Sequence, residues 1–257
     1  DMGVLDRYYP EIAVLKDTPQ RDEHHAEGNV FNHTKMAIDK AAEIIQRYDD
    51  PKDKIIIMLA TLCHDFGKAT TTKEGEKGTI AHHGHEDAGV EPALQFLSKI
   101  TAEQDIVKII PPLIQQHLVP PQYHRDEKIK NSAFRRLINK HGLKFLDLLS
   151  AVSEADVGGR FIRKPDGSVE RPEGGENEWF RAKIKDIAST MGTTQEGKII
   201  PLISGNDLKE LGFTEGPKLG AVLRDIKTQQ EEGTLTSAEE ALAYVHDVYK
   251  SDTSALK

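Results

Sequence analysis

The chain has 257 residues, 37% of them hydrophobic, and its 34 basic and 42 acidic side chains leave a net charge of −8. A mean hydropathy of −0.52, with no apolar run near the roughly 18 residues of a membrane helix, excludes a helical membrane protein, and a single cysteine excludes an internal disulfide. The acidic total argues against a surface built broadly for nucleic-acid backbone; with no basic-then-apolar leader, the chain reads as a cytoplasmic protein of one large or two small domains.

In chain order, residues 1 to 28 are irregular around Pro10 and Pro19, with a short helix expected near Glu11 to Lys16. A loop then carries His24, His25 and Glu27, which can reach a substrate, or Glu27 can cap the next helix. From Val30 to Tyr48 apolar residues recur at helical spacing, and His33 shares the face of Met36 and Ala37. Asp50-Pro51 reads as a helix start, with Asp50 as N-cap and Pro51 at the first position. The apolar run Ile55 to Ala60 makes that helix a core element ending near Cys63-His64-Asp65, and Gly67 is expected to turn the chain sharply. Cys63 reads as a small buried hydrophobe.

Residues 69 to 84 form a Gly-containing polar loop, a candidate lid, ending in His82-His83-Gly84-His85. A helix follows from Glu86 to about Ser98. Thr101 and Gln104 have the spacing of a capping box. Pro111-Pro112 is expected to break or kink the next helix, leaving His117 beyond the kink, and Pro120-Pro121 to end the segment. Helices are predicted over Ser132 to Lys140 and Leu143 to Asp156. Leu148, Val152 and Asp156 lie four apart, so Asp156 extends an apolar stripe, and Gly158-Gly159 ends it. Seven basic residues between Arg125 and Lys144 form either a phosphate-facing patch or a solvated helix face. Residues 161 to 177 read as loop with at most one short hairpin, and the domain boundary falls here, giving 1–160 and 161–257. Helices are expected near Glu178 to Met191, Ser204 to Leu211, Gly216 to Gln230 and Ser237 to Lys250. The fold class is all-α.

A buried imidazole beside a carboxylate is costly unless something pairs them, and a divalent cation does so. His33, His64-Asp65 and the distant Asp156 make an N/O ligand set in helical settings, and His85 and His117 can complete a second metal position. Lys68, just past the helix end, can neutralise a phosphate as a point charge.

The order His33…His64-Asp65…Asp156 resembles the HD-domain metal-dependent phosphohydrolase superfamily. A wider set is similar to the HD half of bacterial tRNA nucleotidyltransferases (CCA-adding enzymes). It comprises Pro10-Glu11-Ile12, Gln20, His25-Ala26-Glu27-Gly28-Asn29-Val30, His33-Thr34, Leu62 to Lys68, Gly84-His85-Glu86-Asp87-Ala88-Gly89, Ala155 to Arg160, Trp179-Phe180 and the segment Ile203 to Gly220. Asn29 departs from that pattern, where Asp is frequent.

The resemblance implies an HD helical bundle followed by a small helical C-terminal region. It implies one or two divalent ions per chain (Mg, Mn, Fe, Co or Ni), Asp65 and Lys68 in catalysis, and substrate contacts from His25, Glu27 and Arg160. The implied activity is phosphatase, 2′-nucleotidase or 2′,3′-cyclic phosphodiesterase on nucleotides or RNA 3′ ends, with tRNA a possible partner. The nucleotidyl-transferring half of that family carries Gly-Gly…Arg-Asp and Asp-x-Asp motifs that do not occur here in that setting, so CCA addition by this chain alone is not expected. The chain reads as a C-terminal portion or a stand-alone homologue. The alternative is a helical tRNA-binding portion whose HD site is structural.

Overall fold

The computed structural model describes residues 3–75, 79–172 and 174–250. It is helical apart from two antiparallel pairs of two-residue strands among the described residues. In chain order the elements are α1 (Val4–Tyr8), α2 (Pro10–Ala13), α3 (Val30–Ile44), α4 (Pro51–Cys63), α5 (Lys68–Thr71), β1 (Lys73–Glu74), β2 (Ile80–Ala81), α6 (His85–Ala88), α7 (Val90–Ile100), α8 (Gln104–Gln116), α9 (Val119–Arg125), α10 (Asn131–His141), α11 (Leu143–Gly159), β3 (Ile162–Arg163), β4 (Val169–Glu170), α12 (Glu176–Met191), α13 (Gly205–Glu210), α14 (Pro217–Glu232) and α15 (Ala238–Val245). The β3–β4 hairpin is the expected one. The β1–β2 pair exceeds the single hairpin expected and lies in the candidate lid loop, whose residues 76–78 fall outside the described residues.

Two compact units result: Asp1–Glu127 with Phe145–Arg181, and Lys128–Lys144 with Ala182–Lys257. The division therefore does not coincide with a boundary after residue 160. Residues 161–172 stay with the first unit because Phe161 N–H donates to Glu27 Oε2 and Arg163 pairs with Asp22. Further along, Arg181 bonds Glu154. The first unit is centred on α3, α4, α8 and α11, with Ile57, Ala60, Leu113, Ile114, Leu149 and Val152 fully buried. The second has its own core of Ile203, Leu208, Phe213, Val222, Ile226 and Val245.

Local chemistry accounts for several helix starts. Asp50 accepts from Lys52 N–H with Pro51 behind it, and Ser204 and Asp207 form a reciprocal capping box. Asn29 caps α3 by accepting from Asn32 N–H, while its amide donates to Lys16 O; its departure from Asp thus serves a fold contact. Thr101 does not cap α8: its hydroxyl accepts from Glu103 N–H, and the helix begins two residues later than the capping box predicts.

The double proline is the larger surprise. α8 runs without interruption through Pro111 and Pro112. Each proline costs about 3 kcal/mol in a helix interior, but Ile106, Ile110, Leu113 and Ile114 are buried on one stripe, each contributing about 1.5–3 kcal/mol. Pro120 and Pro121 likewise sit in the opening turn of α9 rather than ending a segment, because a first turn needs no donor there.

Two glycines press chain segments together. Gly67 has an ordinary right-handed conformation, so it does not serve a sharp turn. A Cβ there would overlap the His85 carbonyl oxygen and lie 2.5 Å from Gly89 N. Gly159, inside α11 rather than breaking it, would put a Cβ 2.5 Å from Ala37 Cα on α3. Gly67→Ala is expected to cost about 3 kcal/mol, since the clashing atoms are backbone. Gly158→Ala, whose methyl meets only the flexible Lys40 chain, should cost far less; thermal melts of the two variants check this.

Candidate metal centre

The same device aims three imidazoles. His64 Nδ1 donates to Thr61 O at 2.7 Å, His85 Nδ1 to His82 O at 2.8 Å and His117 Nδ1 to Ile114 O at 2.6 Å. A carbonyl only accepts, so each Nδ1 carries the proton and each Nε2 is turned the other way. His33 uses a carboxylate instead: its Nδ1 lies 2.9 Å from Glu27 Oε1. Such outer partners fix tautomer and ring orientation in metal-ligating histidines.

The Nε2 atoms converge on two carboxylates. His33 Nε2 lies 3.0 Å from Asp156 Oδ1, 3.3 Å from His64 Nε2 and 3.7 Å from Asp65 Oδ2. His64 Nε2 is 3.2 Å from Asp65 Oδ2. On the other side, His85 Nε2 is 3.4 Å from both Asp65 Oδ1 and His117 Nε2. Two three-ligand groups result, His33–His64–Asp156 and Asp65–His85–His117, with all six residues buried. The Gly159 contact brings Asp156 to His33, and the Gly67 contact brings Asp65 to His85. A third group, His25–Glu27–His33, sits outside the first.

The donor set fits a divalent cation. Neither oxygen of the buried Asp65 receives a hydrogen bond of ordinary geometry, although Lys68 Nζ lies 2.7 Å from Oδ2. Burial opposes ionisation of Asp65, but His64 and Lys68 hold its carboxyl well below the usual range. Asp156 is depressed in the same way, against burial, chiefly by its hydrogen bond from His33. Burial likewise opposes charge on His33, yet Asp156 and Glu27 raise it to about 9, so a divalent ion competes with a proton for that nitrogen. His117, with no carboxylate hydrogen bond among the described residues, is lowered by burial to about 4 and is neutral near pH 7.

The remaining expected residues fall as follows. Lys68 is a buried bridge between Asp65 and Gln20, with Nζ 2.8 Å from Gln20 Oε1, rather than a solvated lysine. Arg160 is half-buried; its charge acts on Asp156, and its Nε has no hydrogen-bond partner among the described residues. His25 stacks edge-on to His33 at 4.8 Å and also bonds Glu27. Glu27, expected to reach substrate or to cap α3, is bonded within the site: burial opposes its charge, but its carboxylate accepts from His25, His33 and Phe161 and is held at about 2. Glu27 orients His33. His82, the alternative to His85, holds His85 in place through its carbonyl. Cys63 is fully buried, and burial pushes its thiol well above the usual range, so it behaves as a hydrophobe. Gln20, visible in the sequence only as one residue of a motif, is the neighbour that residue-type reasoning missed.

The basic stretch is partly tied down within the second unit. Arg135 donates to Glu231 O and Arg136 to Glu232 near the end of α14. Trp179 and Phe180 pack within the first unit, against His124 and Tyr123. Among the described residues, no helix is long and apolar enough to cross a membrane.

Comparison with known proteins gives a family match and several relatives. Residues 30–156 match the family described as "HD domain", which spans the stretch from α3 to Asp156. The chain is 28% identical over 246 residues to an A-adding tRNA nucleotidyltransferase of Deinococcus radiodurans, covering 95% of this chain and 52% of that protein. It is 25% identical to a CC-adding tRNA nucleotidyltransferase of Thermus thermophilus over 95% of this chain and 50% of that one. A multifunctional CCA protein of Pasteurella multocida is 35% identical over 100 residues, 38% of this chain and 22% of that protein. The chain thus spans about half the length of the first two relatives. No solved structure matches it.

Proposed function

We propose that this chain, an HD-domain protein homologous over most of its length to tRNA nucleotidyltransferases, is a metal-dependent phosphohydrolase acting on phosphoesters of nucleotides or RNA 3′ ends. The observation that carries the reading is Asp65: a buried carboxylate held ionised, which Lys68 contacts at 2.7 Å and whose oxygens otherwise face the imidazoles of His33, His64 and His85, with His117 grouped beside them. In this reading His33, His64 and Asp156 would hold one ion and Asp65, His85 and His117 a second. When bound, such ions supply Lewis acidity toward a phosphoryl group and an acidified water. In the same reading Lys68 offsets phosphoryl charge beside Asp65, and Arg160 and His25 contact the substrate. Glu27 keeps the His33 tautomer fixed.

A second reading is favoured by the comparisons: the chain is a tRNA-recognising helical portion of a nucleotidyltransferase-type protein, and its HD site is structural. The relatives support it because their match extends beyond residue 156 into the second unit. On function the relatives weigh toward this reading, whereas the site geometry weighs toward hydrolysis.

One experiment separates the two. Protein purified without chelator is assayed for metal, for hydrolysis of bis-p-nitrophenyl phosphate and a 2′,3′-cyclic nucleotide, and for tRNA binding before and after chelation. Bound divalent metal with chelator-sensitive hydrolysis is the expected result. Metal-independent tRNA binding with no hydrolysis under any added divalent ion supports the structural reading and overturns the first.

A further inference from the structure

We propose that Gln20 is a substrate-contacting residue of this centre, donating its side-chain N–H to a phosphoryl oxygen of the substrate; the inference rests on the phosphohydrolase reading. Gln20 lies on a pinned segment. Thr18 O accepts from Val30 N–H at 3.0 Å, and Asn29 Nδ2 donates to Lys16 O at 2.7 Å, so residues 16–20 are fastened to the start of α3. The side chain is 6% exposed.

The orientation of its amide is fixed by chemistry. Lys68 Nζ has only donors, so the Gln20 atom 2.8 Å away is the oxygen. The same ammonium lies 2.7 Å from Asp65 Oδ2. Gln20 Nε2 is then a buried donor with no hydrogen-bond partner among the described residues. Leaving a buried N–H unpaired is unfavourable, and holding Lys68 alone does not require it. A glutamate would accept from the ammonium more strongly and bring no orphan donor. Glutamine supplies what an incoming phosphoryl group needs beside Lys68: a second donor with no negative charge to repel it.

The test uses the full chain loaded with metal, as Gln20→Glu and Gln20→Met. The first substitution keeps the acceptor for Lys68 and removes the donor; the second removes both. Inorganic phosphate binding is followed by calorimetry, bis-p-nitrophenyl phosphate hydrolysis by kinetics, and metal content and melting temperature alongside. Both variants are expected to keep their metal and lose phosphate affinity and kcat/KM by about tenfold or more, the scale of a hydrogen bond to a charged group. Wild-type phosphate affinity in either variant overturns the proposal, because Gln20→Met loses the donor without adding charge and Gln20→Glu loses it while adding a charge that repels phosphate. If wild type itself neither binds phosphate nor hydrolyses the diester, the underlying phosphohydrolase reading fails as well; an active wild type with an unimpaired Gln20→Glu variant sinks the Gln20 assignment alone.

Discussion

Asp65→Ala is expected to lower kcat/KM for a chromogenic phosphodiester by at least about a thousandfold, equivalent to about 4 kcal/mol of transition-state stabilisation, and to reduce bound metal. The reason is position. Oδ2 faces His64 and His33, and Oδ1 faces His85, so one side chain serves both ligand groups. Asp65→Asn discriminates charge from shape: the amide fills the same space but offers no anionic ligand and presents N–H toward imidazole lone pairs. It should lose metal nearly as completely as alanine. The helices should survive in both variants, because the apolar core of the first unit does not depend on this carboxylate. Some destabilisation is expected, since Lys68 keeps only Gln20 as a partner in its buried position. Circular dichroism, metal analysis and the diester assay together report all three consequences. A fully active Asp65→Ala protein would overturn the metal centre as drawn.

That His64, Asp65 and Asp156 would come together inside the first unit was legible because each carries a local signature. Asp50-Pro51 sets where α4 starts, the apolar run fixes its burial, and His64-Asp65 must then emerge at its inner end. The four-residue spacing of Leu148, Val152 and Asp156 points the acid along a buried stripe. What could not be read depends on which backbone lies across the way. Gly67 and Gly159 look like helix punctuation in one dimension; their task is to admit His85 and Ala37, residues from distant turns. Pro111-Pro112 misleads for a related reason: the local cost of proline is visible in the sequence, whereas the burial of Ile106, Ile110, Leu113 and Ile114 that outweighs it is tertiary. Glu27 and Gln20 show the same limit on the chemical side. Neither residue type announces whether it meets substrate, orients a histidine or bridges a lysine, because that choice is made by Phe161 and Lys68 arriving from elsewhere in the chain.

Two metal equivalents per chain are expected on protein purified without chelator, falling to about one in His85→Ala or His117→Ala. The cause is electrostatic. His85 and His117 each donate Nδ1–H to a carbonyl. His117 is neutral near pH 7, so its Nε2 presents a lone pair. His85, its Nδ1–H given to the His82 carbonyl, turns its own Nε2 toward it from 3.4 Å away. Two facing lone pairs repel, and Asp65 Oδ1 at 3.4 Å from His85 Nε2 adds a third electron-rich atom. A divalent cation turns this arrangement from repulsive to attractive. The His33 group has a partial substitute, because His33 is held protonated toward Asp156, whereas His117 has no carboxylate hydrogen bond of that kind. A further consequence is that the two variants should retain the ion at His33, His64 and Asp156 while losing hydrolysis, since a pair of ions is what grips both the attacking and the leaving oxygen. A count close to one in wild type, unchanged in either variant, removes the second metal. Hydrolysis lost at constant metal content instead makes His85 and His117 groups that bind the substrate directly.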